Sequence, residues 1–180
     1  MAQLTTAQVA ALTTSQVAGL GSDDLNALST TQFAAMTSAQ AAVLTTDQIP
    51  NLQTADLANL SSAALRAWTT TQFDALNSDQ MAALTTAQVA ALTTSQVVGL
   101  GSDDLNALST TQFAAMTTAQ VSALTTTQLS TLVSDDLRAL TTAQYAALSS
   151  VQIAGLTTDH VTQLESTDLR ALTTSTLRGL

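Results

Sequence analysis

The chain of 180 residues has no cysteine, no lysine, one proline and one histidine, and only 3% of it is aromatic. Each shortage removes a class of function. Without cysteine there is no disulfide framework, no thiolate zinc site and no thiol nucleophile. The basic residues are Arg66, Arg138, Arg170 and Arg178, against thirteen acidic ones, giving a net charge of −9. So little positive charge cannot neutralise phosphates, so no nucleic-acid partner and no attraction to anionic membranes is expected. Uninterrupted apolar runs are only a few residues long, so neither membrane insertion nor a signal-peptide core is expected. A lone histidine and few clustered charges leave little material for acid–base catalysis, and no enzyme is expected. Yet 46% of the residues are hydrophobic, which suits a folded chain rather than a disordered one.

What is present is a repeat. Starting at Leu4, a large apolar residue, nearly always leucine, recurs every eight residues without a slip, through Leu12, Leu20 and Leu28 to Leu172 and Leu180. Residues 4–179 make 22 octads, and the expectation is one repeat array over residues 1–180 with no linker or domain boundary. With positions lettered a to h from Leu4, position a is Leu in 19 octads, the others being Met36, Met116 and Trp68. Position f is a second apolar site (Val9, Val17, Leu25, Phe33), small only at Ala41. Position h is Ala or Gly in 17 octads, c is Ser or Thr in all 22, and e is mainly Gln or Asp. Residues 1–40 and 81–120 differ only at Gln3/Ala83, Ala18/Val98 and Ser38/Thr118, the mark of a duplicated block.

An octad cannot continue as one helix. Eight residues at 100° each turn the a/f pattern by about 80° per repeat, so no fixed face forms. Nor does V-A-A-L alternate as a strand requires. The remaining solution is one very short helix per octad. Position c, which never varies, is expected to be the N-cap, with the helix running from d to a. Gly21, Gly101 and Asn77 at b would then be left-handed C′ residues. The alternative phasing makes b the cap and e the reciprocal Gln of a capping box, as in Thr5-Thr6-Ala7-Gln8.

A helix this short does not persist alone. Stability must come from stacking, with a and f buried, h letting neighbours approach, and b, c, d, e and g facing outward. The expected fold is therefore all-α, a solenoid of very short helices. Linkers of one or two residues favour three or four helices per turn. Asp24, Asp56, Asp104, Asp136 and Asp168 follow one another at intervals of four, six, four and four octads, which favours two or four octads per layer.

Octads such as Leu4-Thr5-Thr6-Ala7-Gln8-Val9-Ala10-Ala11-Leu12 resemble repetitive segments of very large bacterial surface or secreted proteins of RTX-, haemolysin- or haem-utilisation-like type. The resemblance covers essentially the whole chain and implies an extracellular or cell-surface segment. It implies no activity, and the glycine-rich calcium nonapeptides of RTX proteins are absent.

Candidate sites are few. The pairs Asp23-Asp24, Asp103-Asp104 and Asp135-Asp136 offer hard oxygens to calcium, but they fall in a helix first turn, where carboxylates stabilise the dipole. His160, alone at e, is expected to be exposed and structurally neutral. Trp68, Phe33, Phe73, Phe113 and Tyr145 are expected in the core. The hydroxyls are expected to cap helices, with no catalytic, cofactor or metal site. Two functional expectations follow. One is a rod, spacer or stalk within a larger protein. The other is a module presenting regular Thr and Gln to a glycan, ice or a protein. Both ends stay in the octad pattern and lack polar capping repeats, so end-to-end self-association is expected.

Overall fold

The protein is described here as a computed structural model covering Met1 and residues 3–178. Ala2, Gly179 and Leu180, the last a position, lie outside the described residues. Among the described residues there are 21 α-helices and one 3-10 helix, one per octad, and no strand. This is the all-α solenoid of short helices that the octad pattern predicts. The chain divides into two compact units, Met1–Leu92 and Thr93–Leu180, and the packing described below holds within each.

The α-helices span four to six residues, such as Thr6–Ala10, Thr86–Ala91 and Thr174–Leu177, and begin at c. The N-cap is b, one residue earlier than the invariant c. Thr5 has φ −74° and ψ 160°, and its hydroxyl accepts the Gln8 N–H. Position a is the other corner residue; Leu92, for example, has φ −57° and ψ 146°. Two extended residues, a and b, thus separate successive helices. Gly21, Gly101 and Asn77 are N-caps with φ of −72°, −68° and −90°, not left-handed C′ residues. Among the described residues no φ is positive.

The one octad without an α-helix holds Pro50. Proline has no N–H to give back to the preceding turn, and the segment tightens to a 3-10 helix over Ile49–Asn51.

Helices pack on those three octads away. In the first unit Thr14–Ala18 packs on Ser38–Ala42, and Thr54–Asn59 on Ser78–Ala83. In the second, Thr94–Gly99 packs on Thr118–Ala123, which packs on Thr142–Ala147. Corresponding residues stand three octads apart (14 to 38, 54 to 78, 94 to 118), so a coil is three octads, neither two nor four. Side chains at f fill the coil interior: Phe33, Phe73, Phe113 and Tyr145 are fully buried. The a residues from Leu28 to Leu148 are buried beside them.

The small h residue works as its pattern suggests. A Cβ on Gly155 would stand 2.9 Å from the Thr126 Cβ, so c of one coil presses against h of the next. The Ser102 and Thr131 hydroxyls, also c and h, are bonded at 2.9 Å.

Candidate functional site

A helix of five or six residues is nearly all terminus. Its first four N–H groups and last four carbonyls have no partner within it. The recurring chemical feature of this protein, the corner between two helices, answers that problem.

Consider Gln40, at position e of its octad. Its Oε1 accepts the Thr37 N–H at 2.8 Å and the Thr37 hydroxyl at 3.1 Å, while the Thr37 Oγ1 accepts the Gln40 N–H at 3.2 Å. Its Nε2 donates to the carbonyls of Val9 and Leu12, both at 2.8 Å. A primary amide offers two donors and two lone pairs, and all four are used. One face of Gln40 caps its own helix. The other caps the C-terminus of a helix four octads earlier, because an N-terminus in one coil stands above the preceding C-terminus in the coil below.

The pattern recurs. Gln80 donates to Ile49 and Leu52 at 2.8 Å, and Gln88 to Leu57 and Leu60 at 2.9 and 2.7 Å. In the second unit Gln128 reaches Val97 and Leu100, and Gln144 reaches Phe113 and Met116. The offsets in these bridges are 31 and 28 residues. Position e is therefore buried wherever it bridges (Gln80 is 1% exposed), not part of the outer surface.

His160 belongs to the same set. Its Nδ1 lies 3.3 Å from the Thr157 N–H and its Nε2 2.9 Å from the Leu132 carbonyl, 28 residues back. With the proton on Nε2, the imidazole reproduces the acceptor and donor of a glutamine. It is buried and structural, where the sequence suggests an exposed, neutral residue.

Aspartate cannot do this, since an ionised carboxylate only accepts. The five Asp octads are built differently, and the sequence already marks them. All fourteen octads with Gln at e carry Thr, Ser or Asn at b. The five with Asp at e carry Gly21, Gln53, Gly101, Val133 and Glu165 there, and none of these side chains caps its helix. Asp104 and Asp168 each accept their b N–H at 3.0 Å. At the Val133 corner the brace comes from the coil below instead: Asn106 accepts the Val133 N–H at 3.1 Å and donates to the Thr131 carbonyl at 3.0 Å. Asn26 donates likewise to the Asn51 carbonyl at 2.9 Å, and Arg138 reaches Glu165 at 3.2 Å. Below Asp168 the Leu137 carbonyl takes the Tyr145 hydroxyl at 2.8 Å.

Most of the Asp octads thus stand four octads apart because each corner rests on the helix one coil and one octad earlier, three octads plus one. The four-octad interval reports that diagonal contact, not the number of octads per layer.

Asp56 and Asp136 are left with a buried Oδ2 that has no partner. Burial raises the carboxyl of Asp56 above the ordinary range. Burial, and secondarily the neighbouring Asp135, push Asp136 up to about 6. The other members of the acidic pairs, Asp23, Asp24, Asp103, Asp104 and Asp135, are not buried. Among the described residues, no group of three or more His, Asp or Glu is placed to hold a metal ion.

Trp68 lies in the core, 3% exposed, edge-on to Phe73 with ring centroids 5.5 Å apart. No helix among the described residues is long and apolar enough to cross a membrane.

A family model described as the ALTTAQ repeat matches residues 17–54, 49–86, 97–134 and 131–166. The chain belongs to the ALTTAQ repeat family. No curated protein and no solved structure matches it. The letters A-L-T-T-A-Q stand unaltered at residues 83–88 and 139–144. They run from h through a, b, c and d to e, so the ALTTAQ string is one corner with its cap, its core leucine and its bridging glutamine.

Proposed function

We propose that this tandem-repeat protein is a structural segment, a rod, spacer or stalk within a larger bacterial surface or secreted protein, and that it catalyses no reaction. The observation that carries this reading is the use of its commonest polar groups. Buried glutamine amides at e, such as that of Gln40, are spent bridging coil to coil, and b hydroxyls such as that of Thr37 are spent on caps. A repeat whose polar side chains hold its own layers together sets a length, and length is what a spacer supplies. An extracellular or cell-surface location fits the resemblance to large bacterial proteins.

Small-angle scattering on arrays of increasing octad number tests it. A spacer gains about 8–10 Å of maximum dimension for each added coil, one interhelical spacing. Growth with the cube root of length would contradict it.

A second reading rests on the placement of the caps. Because b caps the helix, the c hydroxyls are not spent on capping, and no c residue is buried. Regular Thr and Ser at c would suit a binding module for a glycan, ice or a protein. Replacing exposed c threonines with valine, followed by glycan-array and ice-recrystallisation assays, separates the two. A spacer shows neither activity before or after the change.

A further inference from the structure

Two corners inside the array set one oxygen over another with no donor recorded for either. Asp56 and Asp136 stand at position e, one in each compact unit and 80 residues apart, and are 3% and 4% exposed. The Oδ2 of each is buried without a partner. A bridging glutamine at e donates to the a carbonyl 28 residues back, as Gln40 does to Leu12 and Gln144 to Met116. For Asp56 and Asp136 that residue is Leu28 or Leu108. Among the described residues neither of these carbonyls accepts a hydrogen bond. The f carbonyls beside them, of Leu25 and Leu105, accept the Leu28 and Leu108 N–H at 2.9 and 3.0 Å.

A brace from below keeps these carboxyls from serving as ionised caps. Asp104 and Asp168 accept their own b N–H at 3.0 Å, which favours the charged form. The Val133 N–H goes to Asn106 instead, at 3.1 Å, so it does not hold Asp136 ionised. Asn26 braces the corner below Asp56 with the same amide contact, donating to the Asn51 carbonyl as Asn106 does to that of Thr131. Neighbouring charge is mostly acidic. Around Asp136 stand Asp135 and Arg138 on its own helix, Asp103 and Asp104 on Ser102–Asn106, Asp159 and His160 on Thr158–Gln163, and Glu165 beyond it. Thr110–Ala115 brings none. Arg138 pairs with Asp135 and Glu165 at 3.6 and 3.2 Å. Around Asp56 stand Asp23 and Asp24 on Ser22–Asn26 and Asp79 on Ser78–Ala83, while Thr30–Ala34 brings none.

We propose that Asp56 and Asp136 are proton-operated clasps between coils. The protonated carboxyl has one O–H donor. It donates to the a carbonyl below, Leu28 or Leu108, and supplies the bridge that a glutamine supplies elsewhere. The side chain is one carbon shorter than glutamine, but it serves the bridge alone and not the cap. Ionisation withdraws the proton, leaves two acceptors facing each other and loosens the corner. Burial, with Asp135 second, pushes Asp136 up to about 6, and burial raises Asp56 above its ordinary value. The clasps are therefore closed in acid and open as pH rises through each folded value.

Carbon-13 NMR of the full chain from about pH 4 to about pH 8, alongside Asp56→Asn and Asp136→Asn, tests it. Each carboxyl carbon is expected to titrate above the ordinary aspartate range. The main-chain carbonyl carbon of Leu28 or Leu108 should shift with the same midpoint. In each variant the amide keeps its donor at every pH, so the carbonyl below stays fixed. Hydrogen exchange over Ser134–Arg138 should match that of Asp136→Asn at about pH 5 and be roughly tenfold faster or more at about pH 7.5. Carboxyls that titrate while the Leu28 and Leu108 carbonyls stay still overturn the proposal. The proton then meets another acceptor, such as the Asn26 Oδ1, which is also buried without a partner. Carboxyls that stay ionised down to about pH 4 overturn it too, as does equal exchange in the two proteins at both pH values.

Discussion

The indole of Trp68 donates a hydrogen bond to the Ala41 carbonyl at 2.9 Å. Trp68 is the only tryptophan at position a, and Ala41 the only small residue at f. The two exceptions meet, so a large side chain occupies the volume that a missing one leaves, and the Nε1 donor is satisfied as burial requires. Gln72, at the same corner, donates to the Ala42 and Leu44 carbonyls at 3.1 and 2.7 Å, leaving that of Ala41 to the indole.

This pairing predicts strong coupling. Trp68→Leu opens a cavity and should cost on the order of 2–5 kcal/mol. Ala41→Val beside the intact indole overpacks the site and should cost about 1–3 kcal/mol. The double variant restores the pairing of Val at f with Leu at a 27 residues on, as Val17 stands to Leu44, so its loss should be smaller than the sum by about 0.5–3 kcal/mol. Urea unfolding of the four proteins measures this, and strict additivity would break the link between the two exceptions.

The capping geometry predicts an asymmetry between adjacent threonines. Thr93 accepts the Gln96 N–H at 3.1 Å, whereas Thr94 is exposed in the first turn. Thr93→Ala should cost about 0.5–2 kcal/mol, and Thr94→Ala no more than roughly 0.5 kcal/mol. Thermal melts of both variants decide it, and equal or reversed losses would return the cap to c.

Much of the fold is legible from the octads. Leucine at a, the apolar f and the small h give the helix, its buried stripe and its close contact with the next coil. The corner is less legible, for a physical reason. Glutamine is read as a surface residue, and nothing in a single octad says that its amide will meet a carbonyl more than three octads away, as Gln40 meets that of Leu12. The invariance of c points to the wrong cap because c is restrained by packing against h, as Thr126 is against Gly155, while the variable b does the capping. The decisive sign lies in a pair of positions. Thr, Ser or Asn at b goes with Gln at e, and Val133 or Glu165 goes with Asp. His160 escapes notice because its likeness to glutamine is one of geometry rather than composition.

The unpaired Asp136 carboxyl predicts a pH dependence. Its folded value is raised from 3.8 to about 6. The folded chain therefore holds the proton more tightly than the unfolded one between these values, and stability falls as pH rises through that window. Above it, Asp136→Asn should stabilise the protein by on the order of 1–3 kcal/mol, because an amide removes the buried unpaired charge. Urea midpoints for both proteins at about pH 4.5 and about pH 7.5 should show the gain at the higher pH and little at the lower. Parallel profiles would mean that Asp136 is ionised and satisfied in the fold.

Every contact between coils described above depends on three octads per coil, and distances between exposed d positions test that number. The chain has no cysteine, so pairs of spin labels can be placed without background. Ala55 and Asp79 lie three octads apart, on helices packed together within one unit. Ala55 paired with Thr71 or with Ala87 samples an interval of two or of four octads. Dipolar broadening in continuous-wave electron paramagnetic resonance should be strongest for Ala55 with Asp79, whose helix axes stand about 8–10 Å apart. Stronger broadening for the pair with Thr71 or with Ala87 would contradict three octads per coil.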